Sequence, residues 1–176
     1  MLASGGVFFF PIDKRAGLWY NGHIMADKGK FIVFEGTDGS GKSTQMKLLA
    51  KYLKGKGIEC LLTHEPTDSP FGGVLRACLT GRIETDERAI AALFAADRLD
   101  HITNPGIGIQ QHLDAGITVL CDRYYFSTHA YNGALVSAFA RFGKGENIAV
   151  IASEEERDRT QANIRREVAK LFGGKL

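Results

Sequence analysis

"KFIVFEGTDGSGKSTQ", residues 30–45, passes from an apolar run through a glycine loop into a helix-like stretch. "FIVFE" (31–35) is short, apolar and rich in β-formers, as a buried parallel strand should be. Gly36, Thr37, Asp38, Gly39, Ser40, Gly41, Lys42 and Ser43 fit the phosphate-loop spacing G-x-x-x-x-G-K-[ST], and Thr44 extends it. Glycines let backbone N–H groups turn inward around oxyanions without a side-chain clash. The helix that follows aims its N-terminal amides and dipole at the same negative charge. In such a loop the lysine, here Lys42, neutralises charge between the β- and γ-phosphates of ATP, and the hydroxyl, here Ser43, is a ligand for Mg²⁺. A chance glycine-rich turn would not explain the strand before it and the amphipathic helix after it.

The two patterns alternate along the rest of the chain. The spacing predicts a helix from about 42 to 54 with Met46, Leu49, Ala50 and Leu53 on one face. Further strands are expected at 58–63, 117–121 and 146–152. Helices are expected at "FGGVLRACLTG", closed by Gly81, at 86–102 and at 109–115. The last helix opens with a capping box, Ser153 with Glu156, buries Ile164, Val168 and Leu171, and closes at Gly173. This alternation predicts an α/β, P-loop NTPase-type fold: three layers, α/β/α, around a parallel sheet of about four strands, with ligands at the strands' carboxyl ends. Residues 1–24 join no periodic pattern and read as an upstream extension, disordered or loosely packed, before a single domain at 25–176. The alternative is a docking arm using Phe8, Phe9, Phe10 and Trp19.

Composition narrows the function classes. The 176 residues suffice for one domain with a core, and 44% hydrophobic with 24% charged residues is ordinary for a soluble protein. A net charge of +2 argues against a broad nucleic-acid surface but leaves room for a local anion pocket. Cys60, Cys78 and Cys121 have no metal or redox spacing, so reduced thiols in the cytoplasm are expected. No apolar run approaches the roughly 20 residues of a membrane span, and "GVFFFPI" is too short for a signal peptide's apolar region. The five histidines lack metal-ligand spacing.

Two further stretches carry chemistry. Phe94 and Arg98, at i and i+4 on one helix, project from one face, where a ring could stack on a base and a guanidinium could reach its edge. Without other motifs, a core phenylalanine and a surface arginine would be the preferred explanation. Asp122-Arg123-Tyr124 directly follows "ITVLC", at the carboxyl end of a strand, where α/β sites form.

Taken together, "FIVFEGTDGSGKSTQ", "HEPTDSPFGGVLR", "LFAADRLDH" and "CDRYYFSTHAYNG", in that order, resemble the thymidylate kinase (dTMP kinase) family, most closely its archaeal-like members. The resemblance implies transfer of the γ-phosphate of ATP to dTMP with Mg²⁺. Catalytic roles would fall on Lys42, Asp122 and Arg123, with Ser43 and Asp122 around the metal. Arg123 and Arg76 would hold the acceptor phosphate, and Phe94 and Arg98 the thymine. Asp38 would accept a hydrogen bond from the 3′-hydroxyl. Ser127, Thr128, Tyr131 and Asn132 would line base and sugar, with Tyr131 disfavouring ribose. His64 stands where many relatives carry arginine and receives no catalytic role. The resemblance also leaves a homodimer open.

The family pattern breaks after Val136. Relatives continue with a helix, a strand ending in an acidic motif, an arginine-rich lid and a long helix. This chain goes directly to "SAFARFGKGENIAVI", which reads as an internal deletion of the lid and one strand. An arginine at the transferring group contributes on the order of 10³ to 10⁵ in rate. One branch of the family carries it in the phosphate loop, where this chain has Gly39, and the other carries it in the lid. Arg141 and the "RDR" at 157–159 could replace it only by charge and read better as solvated helix residues. With one strand fewer, strand 147–151 is expected to move inward and pair with strand 31–35.

Overall fold

The strand β2 (Phe31–Glu35) is buried along its whole length, as its unbroken apolar run requires. It pairs in parallel with β4 (Thr118–Asp122), Phe31 opposite Val119 and Phe34 opposite Asp122. On its other side β4 pairs in parallel with β3 (Cys60–His64), His64 opposite Asp122. The computed structural model describes residues 6–10, 28–35, 39–124, 147–149 and 157–176. Its remaining elements are β1 (Gly6–Phe10), α1 (Lys42–Gly55), α2 (Pro70–Leu79), α3 (Glu87–Thr103), α4 (Ile109–Asp114), β5 (Asn147–Ala149) and α5 (Arg157–Leu171). Element ends fall within a few residues of those expected from sequence, the ordinary fraying of boundaries.

The period-two alternation of a strand sends neighbouring side chains to opposite faces, and the core divides accordingly. Ile32, Phe34 and Leu120 pack against Met46, Leu49 and Leu53 of α1 and Ile164 and Val168 of α5. Phe31, Val33, Val119 and Cys121 pack on the other face against Ile109 and Leu113 of α4. Burying each large aliphatic side chain contributes about 1.5–3 kcal/mol, so these two clusters fix the three-layer α/β/α order. The expected apolar faces of the first and last helices therefore form as read. Gly81 closes α2 as expected: its N–H bonds Cys78 O at 3.0 Å and that of Arg82 bonds Ala77 O at 2.9 Å. The capping box at Ser153 and Glu156 lies outside the described residues.

The sheet departs from expectation at one edge. Among the described residues its order is β3-β4-β2-β1-β5, five strands where about four were expected. Only β3, β4 and β2 form a parallel set. β1 runs antiparallel to β2, Gly6 opposite Glu35 and Phe10 opposite Phe31, and β5 runs antiparallel to β1. The expected pairing of strand 147–151 with strand 31–35 is thus overturned, because β1 lies between them. Residues 6–10, read as part of an unstructured extension, supply that strand. The physical reason is edge satisfaction: β2 is wholly buried, and a row of unpaired N–H and C=O groups along it would be costly.

Deleting residues 1–24 should therefore bare the edge of β2. We expect the melting temperature to fall by at least about 3 °C, the shift that roughly 1 kcal/mol produces in a chain of this size, with soluble aggregate appearing in light scattering. Unchanged melting and a monodisperse species would show that β1 contributes no stability.

Candidate active site

Parallel pairing of β2, β4 and β3 brings their carboxyl ends to one edge of the sheet, and a cavity of about 520 Å³ opens there. Among the described residues it is lined by the loop glycines Gly39 and Gly41, by Lys42, Ser43 and Thr44, and by His64, Glu65, Asp122 and Arg123. Gly41 is the N-cap of α1 with φ 84, a left-handed conformation that glycine adopts without a steric penalty. No side chain caps this helix start, so none competes with a ligand for the N-cap position. The Ser40 hydroxyl is buried without a hydrogen-bond partner. Gly36, Thr37 and Asp38 lie outside the described residues.

Ser43 and Asp122 meet at the edge of the cavity. The Ser43 hydroxyl donates to Asp122 Oδ2 at 2.6 Å, although 79 residues separate them. The other carboxylate oxygen, Oδ1, is buried and has no hydrogen-bond partner among the described residues. Leaving a buried polar group unsatisfied costs about 1–3 kcal/mol or more, which a bound cation would relieve. No cluster of three or more His, Cys, Asp or Glu side chains among the described residues could cage a metal. One hydroxyl and one carboxylate suit Mg²⁺, which keeps waters and binds substrate phosphates rather than an all-protein cage. The residues present therefore fit it.

Behind the cavity lies a buried polar lattice that sequence reasoning missed. Arg98 is 3% exposed and Glu65 6%. Arg98 Nε and Nη2 donate to Glu65 Oε2 at 3.0 and 2.5 Å, and Nη2 also donates to the Tyr124 carbonyl. Burial opposes the charge on Arg98, but the attraction and hydrogen bonds of Glu65, helped by Tyr124 and Cys121, together outweigh it, and the guanidinium's pKa lies above its ordinary value. Glu65 Oε1 lies 3.0 Å from His101 Nδ1, and His101 Nε2 lies 2.7 Å from Thr63 Oγ1. Asp97, also buried, accepts from the Thr67 N–H at 2.9 Å, the Thr67 hydroxyl at 2.5 Å and the Ser69 hydroxyl at 3.2 Å. These bonds tie the 65–69 segment to α3. Gly72 in the first turn of α2 permits the close packing, since a Cβ there would meet Thr67 O at 2.0 Å. The one available signal was the run of Asp97, Arg98 and His101 on an otherwise mixed helix face; a surface reading of polar residues hides it.

The structure gathers some expected residues and separates others. Lys42, Ser43, Thr44, Asp122 and Arg123 share the cavity. Phe94, 6% exposed, and Arg98 are buried in α3, and neither is among the residues lining the cavity. Arg76 Nη1 donates to Pro66 O at 3.0 Å and Thr67 O at 2.5 Å, and Nη2 lies 3.3 Å from Asp68. It is half-exposed and outside the cavity lining. His64, given no role from sequence, does line the cavity, its Nε2 3.6 Å from Asp68 Oδ1. Ser127, Thr128, Tyr131, Asn132 and Arg141 lie outside the described residues. Arg157 and Arg159 are exposed on α5. The cysteines are free thiols. Burial and then Glu59 push Cys60 up to about 11, and burial holds the Cys121 thiol well above its ordinary value, so neither serves as a thiolate nucleophile. Among the described residues no helix is long and apolar enough to cross a membrane.

Comparison with known proteins gives a consistent picture. The family model for thymidylate kinase matches residues 34–152. A thymidylate kinase of Desulfotalea psychrophila is 49% identical over 110 residues, 61% of this chain and 52% of the relative. One from Afipia carboxidovorans is 44% identical over 130 residues, 73% of this chain and 56% of the relative. A solved thymidylate kinase from Ehrlichia chaffeensis superposes with a TM-score of 0.50 at 31% identity, covering 65% of this chain and 64% of that one. The chain spans about half the length of the curated relatives it matches.

Glu65 holds two buried cationic or polar partners at once, so its removal should be felt strongly. Glu65→Ala leaves Arg98 uncompensated in the interior, and we expect a loss of roughly 3–5 kcal/mol in urea unfolding. Glu65→Ala within 1 kcal/mol of the parent would show that solvent reaches Arg98 (about 1 kcal/mol being typical of an exposed pair).

Proposed function

The chain belongs to the thymidylate kinase family, and from that premise we propose that it phosphorylates dTMP to dTDP with ATP and Mg²⁺. The observation that carries the reading is the 2.6 Å contact of Ser43 with Asp122 beside Lys42 and Arg123 in one cavity. Lys42 and the loop amides would hold the β- and γ-phosphates of ATP. Arg123 would hold the acceptor phosphate from the end of β4. Arg76 would join it only by exchanging Asp68, 3.3 Å from its guanidinium, for the phosphate. Bound between Ser43 and Asp122, Mg²⁺ would neutralise charge building on the donor phosphates. The acceptor oxygen is already anionic, so no strong general base is needed. Phe94, Arg98, Ser127, Thr128, Tyr131 and Asn132 would frame thymine and sugar, and Asp38 the 3′-hydroxyl. Here Arg98 would act as a rigid donor, because Glu65 and the Tyr124 carbonyl fix its guanidinium.

A second reading keeps both binding sites with slow or no turnover. It is favoured by Gly39, which leaves the loop without an arginine for the transferring group, and by the coverage of about half of each curated relative. A kinase for another nucleoside monophosphate remains a third.

Coupled ADP release with ATP, Mg²⁺ and a panel of nucleoside monophosphates separates these readings, with calorimetric titration of ATP and dTMP alongside. We expect dTMP-dependent turnover, and Lys42→Ala to lower kcat by on the order of 10²-fold or more. Tight binding of both ligands without turnover selects the second reading, and a preference for a purine monophosphate overturns the substrate.

A further inference from the structure

Arg123 is the sole non-glycine residue among those described with a left-handed backbone, φ 68. A residue with a Cβ disfavours that region unless its surroundings hold it there, and such residues gather at functional sites. Its surroundings act from three directions. The Arg123 N–H donates to Phe34 O at 2.9 Å. The next residue, Tyr124, has both backbone polar groups taken by side chains: its N–H donates to Glu35 Oε1 at 2.8 Å, and its carbonyl accepts from Arg98 Nη2. Its ring meets Phe31 edge-on, centroids 5.2 Å apart at 86°, and lies 4.4 Å from the Arg98 guanidinium carbon. Glu35 is only 4% exposed. Its carboxylate thus sits in the interior on the last residue of β2, beside the strand whose end carries Arg123.

We propose that Glu35 is a positioning residue for Arg123, working with Arg98 on the opposite side of the Tyr124 backbone. Glu35 from β2 holds the N–H of the Arg123–Tyr124 peptide, Arg98 from α3 holds the carbonyl of the peptide that follows it, and Phe34 O holds the amide on the other side of Arg123. Arg123 is therefore kept in the left-handed conformation that presents it to the cavity. This inference rests on the reading of Arg123 as the grip on the acceptor phosphate. A carboxylate that merely satisfied a buried N–H would stabilise the fold without acting through Arg123.

The test uses Glu35→Ala and Glu35→Gln in the full chain, each also made with Arg123→Ala, and reads dTMP affinity by calorimetry beside the melting temperature. Glu35→Ala should weaken dTMP binding about tenfold or more, the worth of one charge-assisted hydrogen bond. Glu35→Gln should stay close to the parent, because the amide oxygen still accepts from Tyr124. With Arg123→Ala already present, Glu35→Ala should lower melting by the same amount yet cost no further affinity. An affinity loss of equal size in both backgrounds, or lower melting with unchanged affinity, overturns the proposal. If Glu35→Ala does not fold, Glu35→Asp shortens the reach by one methylene and carries the same expectations. If the parent does not bind dTMP, the functional reading fails and the brace is judged alone from crystal structures. Departure of Arg123 from positive φ in the shortened variants supports the brace, and its retention overturns it.

Discussion

Parallel pairing of β2 with β4 sets Phe34 opposite Asp122, and the site is built outward from that register. Parallel neighbours finish at the same edge, so the end of β2 and the Asp122-Arg123 turn leaving β4 lie side by side. An antiparallel partner would carry Asp122 to the far end of a five-residue strand, about 13 Å away at 3.3 Å per residue. The 2.6 Å bond from Ser43 to Asp122 closes a separation of 79 residues only because the strands agree in direction. What holds the register is burial on both faces: Ile32, Phe34 and Leu120 on one side, Val33, Val119 and Cys121 on the other. A slip by one residue would exchange these sets and send Asp122 into the core.

The lattice behind the cavity follows a different logic. Glu65, Asp97, Arg98 and His101 are all buried, where isolated charges would be prohibitive, yet each has a partner from another element. Their combined effect is to fix three connections: β3 to α3 through Thr63 and Glu65, the 65–69 segment to α3 through Asp97, and Tyr124 to α3 through Arg98. Ion pairs of this kind add little net stability over an apolar core, but they are expensive to break singly. Here they hold the chain just after Arg123 and the loop that Arg76 grips, so the site is braced from behind.

Much of this was legible in the sequence. The loop at 36–44 announces its chemistry by spacing, and "ITVLC" before Asp122-Arg123 marks a strand end. The apolar faces of the helices that became α1 and α5 were readable from periodicity, because burial there follows a local repeat. Two things escaped. Gly6–Phe10 is a five-residue apolar run with no alternation, and whether it pairs depends on partners far along the chain rather than on its own pattern. That same nonlocality misplaced β5 beside β2. Helix spacing put Phe94 and Arg98 on one face but could not say where that face points, and the burial of Arg98 went unread. The buried carboxylates hid for a related reason: charged residues are exposed by default, and only their partners in space reveal the exception.

On the proposed function, Ser43 and Asp122 form a cation-assisted phosphate site beside the ends of β2 and β4. ATP affinity measured by calorimetry with and without Mg²⁺, in the parent and in Asp122→Asn, tests it most directly. Mg²⁺ should tighten ATP binding in the parent, and this gain should largely disappear in Asp122→Asn. Equal gains in both proteins, or no effect of Mg²⁺ in either, would contradict it.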